Sequence, residues 1–169
     1  MKERKGMKIK TISKTLVILM IAALTALSVC ACGGSDGGKT PAVADIAQAI
    51  IDKYPLSSAM SQVTGEDKIK NVYGFDAADY SEIAAYVNNS GTEQDEIVIV
   101  KASSSDKVDA IKEKLQNRMT AKMNSTKNYL PEQYEMISKC EVASKGDYVR
   151  MFISPNAEDM VNIFNAQFE

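Results

Sequence analysis

The amino-acid sequence predicts an α+β fold: an antiparallel sheet of about four strands with helices on one face, preceded by N-terminal helices. Three features predict it: a β-branched run at residues 96–101 (EIVIVK), a Lys-Gly-Asp turn at residues 145–147 between two apolar segments, and apolar residues at helical spacing elsewhere. After the first helices, the order of segments is strand, strand, helix, strand, strand, helix. Two hairpins then form one sheet, and helices packed on it complete a two-layer domain.

The first hairpin is predicted from residues 80–87 and 96–101. Residues 80–87 are rich in apolar side chains and are followed by Asn-Asn-Ser-Gly at 88–91, a run of turn-forming residues. The second segment contains the unbroken aliphatic run 97–100, which is typical of a strand buried on both faces. We expect it to be the central strand.

The second hairpin is predicted from residues 140–144 and 148–154, with Gly146 free to take a positive φ in the turn. Between the hairpins lies the longest predicted helix, which we expect to start at the N-cap candidates 103–106 and to run to about Asn128. Its apolar residues recur at spacings of three and four: Val108, Ile111, Leu115, Met119 and Met123. Residues 132–137 predict a further helical turn, and Ser154-Pro155 predicts the start of a last helix.

The N-terminal helix is predicted from an apolar stripe that ends at Tyr54-Pro55. Thr40 is its expected cap, and Pro41 suits the first helical position. Residues 56–75 predict short helical pieces, and residues 76–79 predict a turn into the sheet.

The first 31 residues have the parts of a secretory signal peptide. Basic side chains precede the uncharged residues 15–31, whose apolar part reads LVILMIAALTAL. This run is slightly shorter than the roughly 20 residues of a membrane-spanning helix. An uncleaved signal anchor and ordinary cleavage that releases a soluble protein are the alternatives.

Two cysteines at the end of this segment fit a lipobox, the motif that ends a lipoprotein signal peptide. Cys32 follows Ala31, a small residue of the kind that the processing peptidase accepts, whereas Cys30 follows the β-branched Val29. We therefore predict that Cys32 receives the diacylglycerol and palmitate-type acyl chains, with Cys30 as second choice. The next residues, GGSDGG, are typical of a flexible tether.

The chain accordingly divides into a signal peptide (1–31), a lipidated cysteine with its tether (32–40), and one extracytoplasmic domain (41–169). The leader holds six of the 20 basic residues and one of the 22 acids, which leaves 14 basic and 21 acidic residues in the remainder. An acidic domain repels phosphate backbones, so nucleic acid is not an expected partner. The expected location is the outer side of the cell membrane, held by lipid.

The chain contains no histidine. This excludes Ser-His and Cys-His nucleophiles and the commonest zinc ligand. Cys140 is the one thiol left once the leader is removed and Cys32 is acylated, and we interpret it as a small core residue that alternates with Val142 on a strand. No cofactor or metal site is predicted.

Two groups of carboxylates have the residue types of a binding or catalytic site. An acidic group before the central strand offers oxygen ligands for Ca²⁺, but its spacing does not match an EF-hand, and a solvated loop is the preferred interpretation. Another has the composition of a glycosidase pair, but turn formation and capping explain it more simply. The first group is Glu93, Asp95 and Glu96, and the second is Asp76, Asp79 and Glu82.

Four Met and Tyr residues offer a lining for a ligand groove. Met and Tyr at helical spacing are more often core and boundary residues, which is the preferred interpretation. They are Met119, Met123, Tyr129 and Tyr134.

The sequence resembles lipoproteins of clostridia and related Gram-positive bacteria that contain domain of unknown function 4358. The resemblance rests on the export signal and long helix and on three motifs: residues 96–99 (EIVI), 129–133 (YLPEQ) and 146–149 (GDYV). It covers about residues 56–169 and implies location and fold without catalytic residues. The expected function is a non-enzymatic, membrane-tethered module that binds an envelope protein, peptide or small ligand. The alternatives are an envelope enzyme with carboxylate or Ser/Lys chemistry and a structural subunit of a membrane complex.

Overall fold

The computed structural model describes residues 39–169, and the predicted signal peptide, both lipobox cysteines and residues 33–38 of the tether lie outside them. The fold is α+β, as predicted. The described part contains a five-stranded, fully antiparallel sheet in the order β1-β2-β3-β5-β4. In chain order the elements are α1 (Val43–Lys53), β1 (Met60–Gln62), α2 (Glu66–Tyr73), β2 (Tyr80–Asn88), β3 (Glu96–Ala102), a 3₁₀ turn (Ser105–Lys107), α3 (Val108–Thr126), α4 (Pro131–Ser138), β4 (Val142–Lys145), β5 (Tyr148–Ile153) and α5 (Ala157–Ala166).

Both predicted hairpins are confirmed. Strands β2 and β3 pair in register from Glu82↔Lys101 to Val87↔Glu96. Strands β4 and β5 are joined by a two-residue loop that starts at Gly146, whose φ of 56° is the left-handed conformation that glycine adopts without strain. Local turn chemistry therefore determines how β4 and β5 meet.

The prediction that helices cover one face of the sheet is wrong, because helices lie on both. Alternate residues of β3 enter different cores: Val98 packs with α2, α3 and α4, while Ile97 packs with α1 and α5. Both cores contain fully buried side chains, such as Leu115 on one side and Ile50 on the other. The domain therefore has three layers, and the unbroken aliphatic run of β3 follows from burial on both faces.

The N-terminal helix starts two residues later than predicted, and Thr40 does not cap it. Helix α1 begins at Val43, whose backbone N–H donates to Oε2 of Glu82 at 2.8 Å. A carboxylate from β2 thus satisfies an amide that has no partner within the helix and lies at the positive end of its dipole.

The prediction of short helical pieces within residues 56–75 is correct for the second part of this segment and wrong for the first. Residues Glu66–Tyr73 form α2, which ends at Gly74 in the left-handed conformation. Residues Met60–Gln62 instead form β1, which pairs with the end of β2 from Met60↔Asn88 to Gln62↔Tyr86. Residues Met60–Gln62 have no alternating apolar pattern of their own, and they are extended because they pair with β2, which is distant in sequence.

The remaining helices match the prediction closely. Helix α3 ends at Thr126, near the expected Asn128, but its start is a 3₁₀ turn without a side-chain cap. Helices α4 and α5 follow Leu130 and Asn156.

Within residues 39–169, no helix combines the length and apolar character that a membrane crossing requires.

Candidate functional site

A cleft of about 600 Å³ lies at the end of the sheet where β3 begins and β5 ends. Its walls come from the end of α1 and the following loop, the β2–β3 loop, the start of α4 and the β5–α5 connection. Much of its lining is apolar, and several of these side chains are buried in the cores below. The apolar lining includes Leu56, Met60, Ile97, Met136, Ile153 and Met160.

Two smaller depressions continue the cleft along α4. The first, of about 390 Å³, shares Glu132, Met136, Ser154 and Pro155 with the cleft. The second, of about 270 Å³, shares four residues with the first: Lys139, Cys140, Ala157 and Glu158. The three depressions together form one elongated surface feature between α4 and α5, called the groove below.

Carboxylates dominate the charge at the cleft. Asp95 is half-buried, and burial, reinforced by the nearby Glu93, raises the pKa of its carboxyl above the ordinary value. Glu93 Oε2 accepts a hydrogen bond of 2.7 Å from Asn88 Nδ2. Glu132, at the start of α4, is an exposed residue of the same lining. A ligand with positive charge or hydrogen-bond donors is therefore favoured here.

The β2–β3 loop is fixed from two sides. The backbone N–H of Gln94 donates to Oε1 of Gln133 on α4 at 2.9 Å. Nζ of Lys122 on α3 donates to the carbonyl oxygen of Gln94 at 3.0 Å. Asp95 therefore has a defined position without a ligand present, as expected of a preformed site.

The basic side chain at the cleft is already engaged. Nζ of Lys53 lies 2.5 Å from Oδ2 of Asp159, and this contact raises the pKa of Lys53. The hydroxyl of Tyr54 donates to the same oxygen at 2.6 Å. Because Lys53 is held in its charged form, it is a poor general base for a serine nucleophile.

The first group of predicted carboxylates does not converge. Glu93 and Asp95 line the cleft, but Glu96 is fully buried on the other face of the sheet, with the α3 side chains Arg118 and Lys122. The interpretation as a solvated loop is wrong for Glu96. Within residues 39–169, no group of three or more acids or cysteines is close enough to hold a metal ion.

The second group is dispersed among separate structural contacts. Asp79 accepts from Lys114, from Lys107 and from the backbone N–H of Asp76, which supports the interpretation as a turn. Asp76 pairs with Lys70, and Glu82 both caps α1 and pairs with Lys101. These carboxylates therefore do not face one another across a cleft.

The predicted Met and Tyr residues lie away from the cleft. Met119 is buried in the core below α3, with Met123 packed against it, as the core interpretation predicts. Tyr129 is 84% exposed, and Tyr134 is half-buried on α4. Neither side chain lines the groove.

Cys140 precedes β4 rather than lying on it. Its thiol donates to the carbonyl oxygen of Met136 at 3.2 Å, and burial raises its pKa. A raised pKa reduces the thiolate fraction and hence the reactivity of the thiol. The side chain is half-buried against the core, in agreement with the structural interpretation.

The chain enters the described domain at the end of the sheet opposite the cleft. The hydroxyl of Tyr148, at the start of β5, donates to the carbonyl oxygen of Pro41 at 2.7 Å. The cleft lies beside Ile153, at the other end of the same strand and roughly 17 Å away. Pro41 and the cleft are thus separated by the length of the sheet.

Residues 52–154 match a family described as Domain of unknown function (DUF4358). The match starts near the expected position and stops before α5. No curated protein and no solved structure matched the chain.

Proposed function

The chain belongs to the DUF4358 family of domains of unknown function, and from the geometry of its cleft we propose that it is a lipid-anchored, extracytoplasmic binding protein of the cell envelope. Cys32 carries the lipid in this proposal, and residues 33–40 are the tether. The ligand is an envelope protein, a peptide or a small molecule that enters the cleft. No cofactor takes part.

The position of the cleft is the observation that carries the proposal. The tether spans at most roughly 30 Å, so the Pro41 end of the domain stays near the membrane surface. The cleft lies at the far end of β5 from Pro41, so in this proposal the anchor is attached to the end of the domain opposite the ligand site. An anchored receptor needs this arrangement to reach a ligand in the space outside the membrane.

The chemistry of the cleft favours binding over catalysis. Ser57 and Ser154 line it, but Lys53 pairs with Asp159, and the Ser154 hydroxyl oxygen accepts from the backbone N–H of Asn156 at 3.1 Å. A Ser/Lys nucleophile is therefore not assembled among these residues. Asp95, with its raised pKa, is the group on which the enzymatic alternative depends.

Site-specific photo-crosslinking in native membranes tests the proposal. A photoreactive residue replaces Ser57, which is exposed at the cleft, or Ser105, a matched exposed serine in the 3₁₀ turn at the other end of the sheet. Mass spectrometry of the full chain extracted from these membranes then identifies the adducts. We expect a defined adduct from the Ser57 position and none from the Ser105 position.

Each other result contradicts the proposal in a specific way. Equal adducts from both positions indicate non-specific encounters, and adducts from the Ser105 position alone indicate a docking face away from the cleft, as a structural subunit would have. A small-molecule adduct converted to a product by the wild-type chain but not by Asp95→Asn supports the enzymatic alternative.

A further inference from the structure

We propose that the groove between α4 and α5 binds an extended peptide segment in which basic residues alternate with large apolar residues. This inference rests on the proposed function and specifies the ligand of the same site. Its basis is the shape of the groove, the charge along its length and the type of its apolar lining.

The elongated shape of the groove suits an extended ligand better than a compact one. The cleft and the two depressions follow α4 from Glu132 to Lys139, a rise of roughly 10 Å. An extended chain advances about 3.3 Å per residue, so about three residues lie along α4 alone and further ones occupy the cleft. A peptide fills all three depressions at once.

The charge along the groove favours a basic partner. Of its basic residues, Lys53 pairs with Asp159 and Arg150 pairs with Glu141, which leaves Lys139. Five acids that line the groove have no ion-pair partner within residues 39–169: Glu93, Asp95, Glu132, Glu135 and Glu158. Lys or Arg side chains of a ligand complement these carboxylates.

The apolar lining suits side chains of varied shape. Met60, Met136 and Met160 line the cleft beside Ile97 and Ile153. Methionine is unbranched and polarisable, so it adapts to different apolar side chains and is frequent at surfaces that bind several peptides. Successive side chains of an extended peptide point in opposite directions. Basic and apolar residues that alternate in the ligand sequence therefore point to opposite sides of its backbone.

The test measures the binding of labelled nonapeptides to the full chain in uncharged detergent micelles by fluorescence anisotropy, with empty micelles as background. The probe alternates leucine and lysine, and the matched controls alternate leucine with glutamate and glycine with lysine. We expect the leucine–lysine peptide to bind at least tenfold more tightly than either control. We also expect its affinity to fall as salt screens the carboxylates.

Charge-reversed variants locate the binding. The groove variant combines Glu132→Lys, Glu135→Lys and Glu158→Lys, all exposed positions. The control variant makes the same charge change with Asp67→Lys, Asp109→Lys and Glu113→Lys, which are also exposed and helical but lie outside the groove. We expect the groove variant to lose at least tenfold in affinity and the control variant to lose less than threefold.

Equal loss in the two variants, or no preference among the three peptides, overturns the peptide inference. A non-peptide adduct at the Ser57 position also overturns it while supporting the proposed binding function. The opposite result is also distinguishable. If the Ser57 position gives no specific adduct but the leucine–lysine peptide binds tightly and only to an intact groove, the peptide specificity is supported and the proposed function in the native membrane is contradicted.

Discussion

Glu96 and Arg118 form an ion pair that joins the first residue of β3 to the middle of α3. The Glu96 side chain is fully buried, and Arg118 Nε donates to its Oε1. Arg118 also donates to the carbonyl oxygen of Val72 at 3.2 Å, and its guanidinium lies 4.9 Å from the ring centre of Tyr73. The pair therefore links the sheet, α3 and the end of α2.

Replacement of this arginine should strongly destabilise the domain. In Arg118→Met, Nζ of Lys122, 2.8 Å from Oε2, is the remaining ion-pair partner of the buried Glu96 carboxylate. Loss of one partner of a buried ion pair costs roughly 3 kcal/mol of unfolding free energy, which urea denaturation measures. Lys70→Met, which breaks the exposed pair with Asp76, is the control and should change little.

A double variant tests the cause of this loss. Arg118→Met with Glu96→Gln should be more stable than Arg118→Met alone, because the buried group no longer carries a charge. If the second substitution adds a further loss instead, the Glu96 carboxylate still stabilises the domain through Lys122, and an uncompensated charge is not the cause of the loss in Arg118→Met.

Asp95 and Asp79 should show opposite dependence on pH. Burial raises the pKa of Asp95, so its ionised form opposes folding at about pH 7, and the opposition disappears as pH falls through the folded-state value. We expect Asp95→Asn to be more stable than the wild type at about pH 7 and to lose this advantage on acidification. Urea denaturation between about pH 7 and pH 3 measures the difference.

Asp79 provides the matched comparison. Its hydrogen bond from Lys114, together with that from the backbone of Asp76, lowers its pKa. Its contribution to stability is therefore complete above the unfolded-state pKa and is lost as pH falls through the lower folded-state value. Asp79→Asn should be less stable than the wild type at about pH 7, with a deficit that shrinks in acid. The same sign for both variants would refute these assignments.

The two cysteines of the predicted lipobox allow a direct test of the proposed anchor. We expect Cys32→Ser to abolish the mass of the acyl chains and to abolish retention in the membrane fraction, whereas Cys30→Ser keeps both. Intact-mass analysis and membrane fractionation of the native chain measure these outcomes. The reverse result places the lipid on Cys30. If Cys32→Ser stays in the membrane with its leader intact, the N-terminal segment is a signal anchor instead.

Local patterns in the sequence were sufficient to predict the hairpins and α3. Residues 96–101 and Gly146 carry strong strand and turn signals. Strand β1 could not be predicted in this way, because Met60–Gln62 is a strand only through its pairing with β2. The second covered face was predictable, since the aliphatic run of β3 and the apolar stripe of α1 each required burial against a partner.

The cleft is harder to predict because four separate segments build it. Glu93 and Asp95 are close in sequence, but Glu132 and Tyr54 reach the same place only through the order of strands in the sheet. The acid-rich residues 93–96 were the available signal. Successive side chains of a strand point to opposite faces, so Ile97 lines the cleft while Glu96 is buried on the other face of the sheet. The order of the carboxylates along the chain does not reveal this separation.

The edges of the sheet are its shortest members: β1 has three residues and β4 has four. An exposed edge recruits strands from other molecules through its unpaired amide and carbonyl groups, and a short edge offers few of them. Lys145 adds a charge at the end of β4. Many copies crowded side by side should therefore remain separate folded units and resist growth into cross-β fibrils.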